Sequence, residues 1–141
     1  MKTQILHVTE LPAMWPSMTG FLQAACDYDP EGKVTIGGLY DDCLDGHSIA
    51  VVFWDDSDVM VGASVVTASD AKIGRYLFVR VLGGDFGSDV WLDHAHAVFS
   101  GIARASGCSD GIMLCGRPGW IRKLKNWGFR EVLVTMIGGL I

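Results

Sequence analysis

The arrangement of the whole chain depends on residues 75–129, which read RYLFVRVLGGDFGSDVWLDHAHAVFSGIARASGCSDGIMLCGRPGWIRKLKNWGF. An apolar, aromatic and β-branched run predicts a strand over residues 75–82, and Gly83-Gly84 ends it. A second short apolar run, residues 112–115, predicts a buried inner strand. Between these strands, four apolar residues recur at the spacing of one helix face: Trp91, Ala95, Val98 and Ile102. We expect the two strands to border one cleft.

The rest of the chain supplies short elements of both kinds. Thr35 suits an N-cap and Gly46 a C′ position, which predicts a helix between them. Two β-branched runs joined by Asp55-Asp56-Ser57-Asp58 predict a hairpin, and residues 68–74 predict a turn. The other predicted strands are residues 4–8, 48–54, 59–67 and 131–137, and the other predicted helices are residues 18–26 and 118–127. The order β-α-α-β-β-β-α-β-α-β indicates one α/β domain with a mixed sheet over residues 1–141.

The composition is that of a compact globular protein. The 141 residues include 18 Gly and 5 Trp, and 50% are hydrophobic, which argues against disorder. No apolar run approaches the roughly 20 residues that span a bilayer, and the first residues carry no signal-peptide core. We therefore expect a soluble, cytoplasmic protein that is not secreted and has no membrane partner.

Cysteine and histidine spacing gives no metal site. Four cysteines are scattered without a C-x-x-C pair, so we expect reduced, largely buried thiols. His94 and His96 are two apart on a predicted helix and point to different sides, so they do not share one ion.

Charge is distributed unevenly along the chain. Residues 1–70 hold 11 acids and 2 bases, and residues 71–141 hold 5 acids and 9 bases, which together give the net charge of −5. A nucleic-acid-binding domain would be basic overall, so no nucleic-acid partner is expected. Five bases fall within residues 117–130, and they are compatible with a local anion site or with a solvated helix face.

The glycine turn between the first strand and the long helix is a candidate phosphate site. A strand, a glycine-rich turn and a helix start place several backbone N–H groups at the positive end of a helix dipole. The turn reads GGDFGSD over residues 83–89 and lacks the G-x-G-x-x-G fingerprint. Asp85 and Asp89 would repel a phosphate and are good N-cap residues.

With this order of elements, the chain resembles the GNAT superfamily of acetyl-CoA-dependent N-acetyltransferases. Residues 116–129, GRPGWIRKLKNWGF, look like the last helix of that family and its terminal Gly-Phe. The spacing from Trp91 through Gly107-Cys108 to this segment resembles a small GNAT-like branch of tailed-phage genomes, where some members are virion components. The resemblance implies a single-domain acyl-CoA N-acyltransferase fold.

The resemblance also implies where acetyl-CoA would bind. Strand Tyr76–Leu82 would pair with the pantetheine arm, turn Gly83–Ser88 would take the pyrophosphate, and the next strand would splay away. The implied coenzyme-binding residues are Val81, Leu82, Gly83, Gly84, Phe86, Gly87, Ser88 and Arg117. Arg117 is equally compatible with a phosphate contact and with a surface ion pair.

The catalytic residues stay unassigned, because this chain departs from the family pattern. The phosphate turn lacks the usual Arg or Gln, and Leu124 stands where a general-acid tyrosine is common, four residues before Gly128-Phe129. Asp85 and Cys115 are the two candidates for proton transfer. For Asp85 a turn or N-cap role is the commoner one, and for Cys115 a buried structural thiol is, so neither is assigned as catalytic.

Three functions follow as hypotheses. The first is an acetyl-CoA-dependent N-acetyltransferase with an amine substrate and a degenerate active site, encoded by a phage and acting in the host cytoplasm. The second is a non-catalytic virion or accessory protein that keeps the fold. The third is an inhibitor that binds a host protein through the acidic face of residues 27–70.

Overall fold

The protein's computed structural model describes residues 1–27, 32–71, 74–84, 89–114, 124–125 and 128–129. Its strands are β1 (Lys2–Ile5), β2 (Ile49–Trp54), β3 (Met60–Ala71), β4 (Gly74–Gly84) and β5 (Gly111–Leu114). Its helices are α1 (Leu11–Cys26), α2 (Ile36–Leu44) and α3 (Asp89–Ala105), and residues 124–125 are also helical. The predicted order of elements is confirmed as far as β5. The predicted last strand, residues 131–137, lies outside the described residues.

The five described strands form one mixed sheet in the order β1-β2-β3-β4-β5. The first three pairs are antiparallel, and β4 pairs with β5 in parallel. The parallel pair needs a crossover connection, and α3 provides it. The described pairing of β4 with β5 runs from Tyr76↔Gly111 to Val79↔Leu114, while β4 itself continues to Gly84.

Helices cover both faces of the sheet and create two cores. The α1 and α2 face buries Leu11, Trp15, Met18, Leu22, Leu39 and Cys43 against Val52, Val65 and Val81. The α3 face buries Trp91, Ala95, Phe99 and Ile102 against Val51, Phe53, Val66 and Val79. The predicted stripe on α3 is therefore confirmed, with Val98 partly buried beside it.

Local sequence signals place two of the predicted boundaries correctly. The Thr35 hydroxyl accepts the backbone N–H of Gly38 at 3.0 Å, which offsets the weak helix propensity of Gly37-Gly38. The Asp55 carboxylate accepts the N–H groups of Ser57 and Val59 at 2.8 and 2.9 Å. The acids of the hairpin tip thus form the turn, as predicted.

Other predicted boundaries are wrong for identifiable reasons. Helix α1 begins at Leu11 rather than after Pro16, because Pro12 occupies the first turn, where no N–H donor is needed. The predicted turn over residues 68–74 is much shorter, since β3 continues to Ala71 and β4 begins at Gly74. β1 covers Lys2–Ile5 instead of residues 4–8, and β5 is half-buried instead of buried.

Gly83 and Gly84 belong to strand β4 and not to a turn that ends it, which corrects the predicted strand end. A Cβ atom at Gly83 would lie 2.0 Å from the carbonyl oxygen of Phe21, in helix α1. Only a glycine lets α1 come this close to the sheet. The glycine at position 83 is thus required by packing, whatever else it does.

We predict that Gly83→Ala destabilises the protein by about 3 kcal/mol, because the added methyl group overlaps the backbone of α1. Gly20→Ala is the matched control, since Gly20 is exposed in the same helix and a Cβ there meets no atom within 4 Å. The control should stabilise the protein by up to about 1 kcal/mol through helix propensity. Urea unfolding measures both. Equal effects in the two variants would contradict the close approach of α1.

Candidate functional site

Strand β4 contains one extra residue, Arg80. Val79 pairs with Val66 of β3 and Val81 pairs with the next residue, Val65, so Arg80 has no partner across the strand pair. A β-bulge of this kind changes which face the following side chains point to. Val79 accordingly lies in the α3 core, whereas Val81 lies in the α1 core.

Side chains hold this bulge on two sides. On the β3 side, the fully buried Ser64 hydroxyl donates to the carbonyl oxygen of Val81 at 2.6 Å. On the α2 side, the Arg80 guanidinium donates to the Asp42 carboxylate and to the Ser48 hydroxyl, the latter at 3.3 Å. A bulge disrupts the regular ladder; here the Ser64 hydroxyl satisfies the Val81 carbonyl, and Asp42 and Ser48 bind the side chain of the extra residue.

The bulge also fixes where the backbone groups at the end of β4 point. The Val81 carbonyl reaches Ser64, and the Gly83 carbonyl lies 3.0 Å from where a Cβ of Gly62 would be, so both face β3. Successive residues of a strand direct their backbone groups to alternate edges. Leu82 and Gly84 therefore direct theirs towards the β5 edge, beyond the described pairing at Val79↔Leu114.

Trp91 closes the end of this strand pair from the α3 side. Gly62 and Gly84 face each other across β3 and β4. Cβ atoms at these positions would lie 2.5 and 3.0 Å from the Trp91 ring, which itself packs on Phe53 with centroids 5.1 Å apart. The indole thus lies across a glycine pair and anchors α3 against the end of β4. The sequence signal for it was Gly62 inside a β-branched run.

This arrangement of strands and helices occurs in known proteins over the whole length of the chain. An aminoglycoside acetyltransferase from an uncultured soil metagenomic sample is 14% identical, with a TM-score of 0.71 over 99% of this chain and 98% of its own. A ribosomal-protein-alanine N-acetyltransferase from Brucella melitensis biovar Abortus 2308 is 15% identical, with a TM-score of 0.66 over all of both chains. A possible acetyltransferase from Clostridium difficile 630 is 14% identical, with a TM-score of 0.67 over 99% and 97%.

The chain has the GNAT acetyltransferase fold. The fold class predicted from the sequence is confirmed. At identities this low, the likeness is one of fold. No family model matches the sequence, and no curated protein matches it either.

The described part of the GNAT fold contains four of the predicted coenzyme-binding residues. Val81, Leu82, Gly83 and Gly84 are consecutive in β4, after the bulge. The remaining predicted site residues lie outside the described residues and stay predictions: Asp85, Phe86, Gly87, Ser88, Cys115 and Arg117. Sequence reasoning missed Arg80, Asp42 and Ser64, which are hydrogen-bonded at the bulge directly before or beside these four residues.

The predicted end of the last helix is confirmed. Gly128 has φ +82°, its N–H donates to the Lys125 carbonyl at 3.1 Å, and the Phe129 N–H donates to the Leu124 carbonyl at 3.0 Å. This pair of bonds is the Schellman motif of a helix C-terminus. The Phe129 ring lies 5.5 Å from the ring of His96, so the end of this helix sits beside α3.

The two histidines of α3 contact different partners, as their spacing predicted. His96 lies on Phe129, whereas His94 Nε2 is 2.5 Å from the Thr3 hydroxyl on β1 and its ring meets Phe53 edge-on.

Across the described ranges, no three His, Cys, Asp or Glu side chains come together as a metal-binding group. Nor does any helix within those ranges have the length and apolar character to cross a membrane.

Three of the four cysteines are buried, which confirms the predicted burial for Cys26, Cys43 and Cys108. Burial raises the pKa of Cys43 to about 11, although the nearby Arg80 guanidinium acts in the opposite direction. The Cys43 thiol is therefore protonated near neutral pH. It packs in the core that α1 and α2 cover.

We predict that His94 makes the protein less stable in mild acid. Burial, and to a smaller degree the N-terminal ammonium group, lowers the pKa of His94 below its ordinary value of 6.5. Protonation therefore favours the unfolded chain, so this contribution to stability is complete above pH 6.5 and is lost as the pH falls through the lowered pKa.

The check is urea unfolding of the wild type and of His94→Gln at about pH 7.5 and about pH 5.5. His94→Gln keeps a polar partner for Thr3 but does not titrate, so it should lose less stability on acidification than the wild type. His47→Gln, at an exposed position, is the control and should follow the wild type. An acid sensitivity that His94→Gln leaves unchanged would refute this assignment.

Proposed function

We propose that the protein binds acetyl-CoA, or a related acyl carrier, along the end of β4 and transfers the acyl group to an amine. The observation that carries the proposal is the bulge at Arg80. It makes Leu82 and Gly84 the residues at the end of β4 whose backbone groups are directed towards the β5 edge. The GNAT fold supports the same site.

The described residues fit an acyl-pantetheine arm through their backbone. Such an arm carries amide groups that pair with strand N–H and C=O groups as another strand would. Leu82 and Gly84 offer those groups at the β5 edge, while Ser64 and the packing of α1 occupy the other side of the strand. Gly83 and Gly84 do not leave an open cradle, because Phe21 and Trp91 fill the space beside them.

The proposed acyl transfer needs backbone groups, and no side chain, from this part of the site. The bound thioester would supply an activated acyl group; the amine nitrogen bonds to the acyl carbon, the carbon–sulfur bond breaks, and the amine proton passes to the sulfur. Backbone N–H groups at the β5 edge would stabilise negative charge that develops on the acyl oxygen. The proton carrier would come from Asp85 or Cys115, the two predicted candidates.

A second candidate function is coenzyme binding without transfer, and Leu124 favours it. This half-buried residue occupies the position where the resemblance to GNAT enzymes implies a tyrosine, and its aliphatic side chain cannot donate a proton. A phage origin, a virion location and a host-protein target stay predictions, because no observation on the described residues bears on them.

Calorimetry with the purified full chain tests the proposed binding. We expect saturable heat with acetyl-CoA and a raised melting temperature, because a ligand that binds only the folded chain stabilises it. S-acetylpantetheine, which has the thioester arm without the nucleotide, should compete, since the proposed contacts are to that arm. Absence of heat and of any thermal shift at millimolar acetyl-CoA would contradict the proposal.

Release of free coenzyme A thiol from acetyl-CoA, measured with a panel of amines, separates the two candidates. Thiol release that depends on both the amine and the protein supports transfer. Binding heat without thiol release for any amine supports the second candidate and contradicts the first.

A further inference from the structure

We propose that Asp42 and Arg80 are a positioning pair, which holds the bulge in β4 and thereby sets the backbone of residues 81–84 for the acyl carrier. The inference rests on the proposed function, which it deepens by assigning a role to two residues remote from the acyl group. It also links α2 directly to the candidate site.

The pair joins α2, which carries Asp42, to the bulge of β4, which carries Arg80. Asp42 lies in α2, and its carbonyl oxygen accepts the Ser48 N–H at 3.1 Å, which brings the Asp42 carboxylate and the Ser48 hydroxyl together as one acceptor site. Arg80 enters this site from the bulge. Its side chain is 25% exposed, that of Asp42 is 39% exposed, and Ser48 is buried, so solvent screens the pair only in part.

The pair determines where the extra residue of β4 is placed. A bulge moved by a few positions would be sterically possible in a strand, but it would reassign faces, because side chains alternate with a period of two. Moved past Val81, it would return Val81 to the α3 side and place Arg80 opposite Val65, where Val81 now packs in the α1 core. Leu82 would then direct its backbone groups towards β3 and not towards the β5 edge. The Arg80 charge opposes this shift, because the guanidinium would replace an apolar side chain in that core, whereas at the bulge it is paired with Asp42.

The same strand provides a matched control. Arg75, near the start of β4, pairs with Asp70 at 3.1 Å, and the two residues lie directly opposite in regular register. Asp70 is 79% exposed and no bulge lies beside it. The control pair therefore has the same chemistry without the proposed effect on residues 81–84.

The test compares Asp42→Asn with Asp70→Asn. We expect Asp42→Asn to weaken acetyl-CoA binding by about tenfold, because the carrier loses a preorganised backbone. Asp70→Asn should bind as the wild type does.

Asp42→Glu, which keeps the carboxylate, should bind acetyl-CoA more tightly than Asp42→Asn does. Arg80→Met should weaken binding as Asp42→Asn does, and the double variant should be no worse than either, since the two act as one unit.

A purely structural role predicts a different result. It would lower the free energy of unfolding while the folded fraction still bound acetyl-CoA with wild-type affinity. Affinity is therefore measured under conditions where every variant is folded, and amide exchange of residues 81–84 is measured without ligand. Exchange there should be faster in Asp42→Asn and unchanged in Asp70→Asn.

The possible outcomes distinguish failure of the Asp42–Arg80 positioning pair from failure of the proposed function. If the wild type binds and Asp42→Asn binds equally well, the positioning pair is refuted and the proposed function stands. If the wild type does not bind, the proposed function fails, and the role of the pair in binding fails with it. Faster exchange confined to Asp42→Asn, together with weaker binding, supports the pair.

Discussion

The extra residue at Arg80 is the constraint on which the candidate site depends. It puts Val79 in one core and Val81 in the other, although residues two apart in a regular strand share a face. The same shift turns the backbone groups of Leu82 towards the β5 edge. Core packing and site geometry are thus two consequences of one irregularity, and a change that removed the bulge would affect both.

Gly83 and Gly84 of β4 have a packing role in the fold that differs from the role predicted from the sequence. In the sequence they indicate a phosphate turn. In the fold, the backbone of α1 packs closely against Gly83, and the Trp91 ring packs against both Gly84 and Gly62. These contacts hold α1 and α3 against the end of the strand. The glycines therefore fix the shape of the candidate site, while the proposed contacts to an acyl carrier are made by the backbone groups of Leu82 and Gly84.

The sequence predicted the features that local patterns encode. The order of elements as far as β5, the α3 stripe and the Thr35 cap depend on nearby residues, and each was confirmed. The bulge was not predictable, since the alternation of Val79, Arg80 and Val81 indicates two valines on the same face. Its position depends on Asp42, 38 residues away, and on Ser64 across the strand pair. Register of this kind is a property of tertiary contacts.

Amide exchange of Leu82, measured by NMR with and without acetyl-CoA, tests the central claim most directly. If the end of β4 binds the acyl carrier through its backbone, the Leu82 N–H becomes protected when acetyl-CoA binds, while the Leu77 N–H, within the part of β4 that pairs with β5, does not change. Acetyl-CoA that binds without altering the exchange of Leu82 would contradict the claim, because the carrier would then occupy another surface.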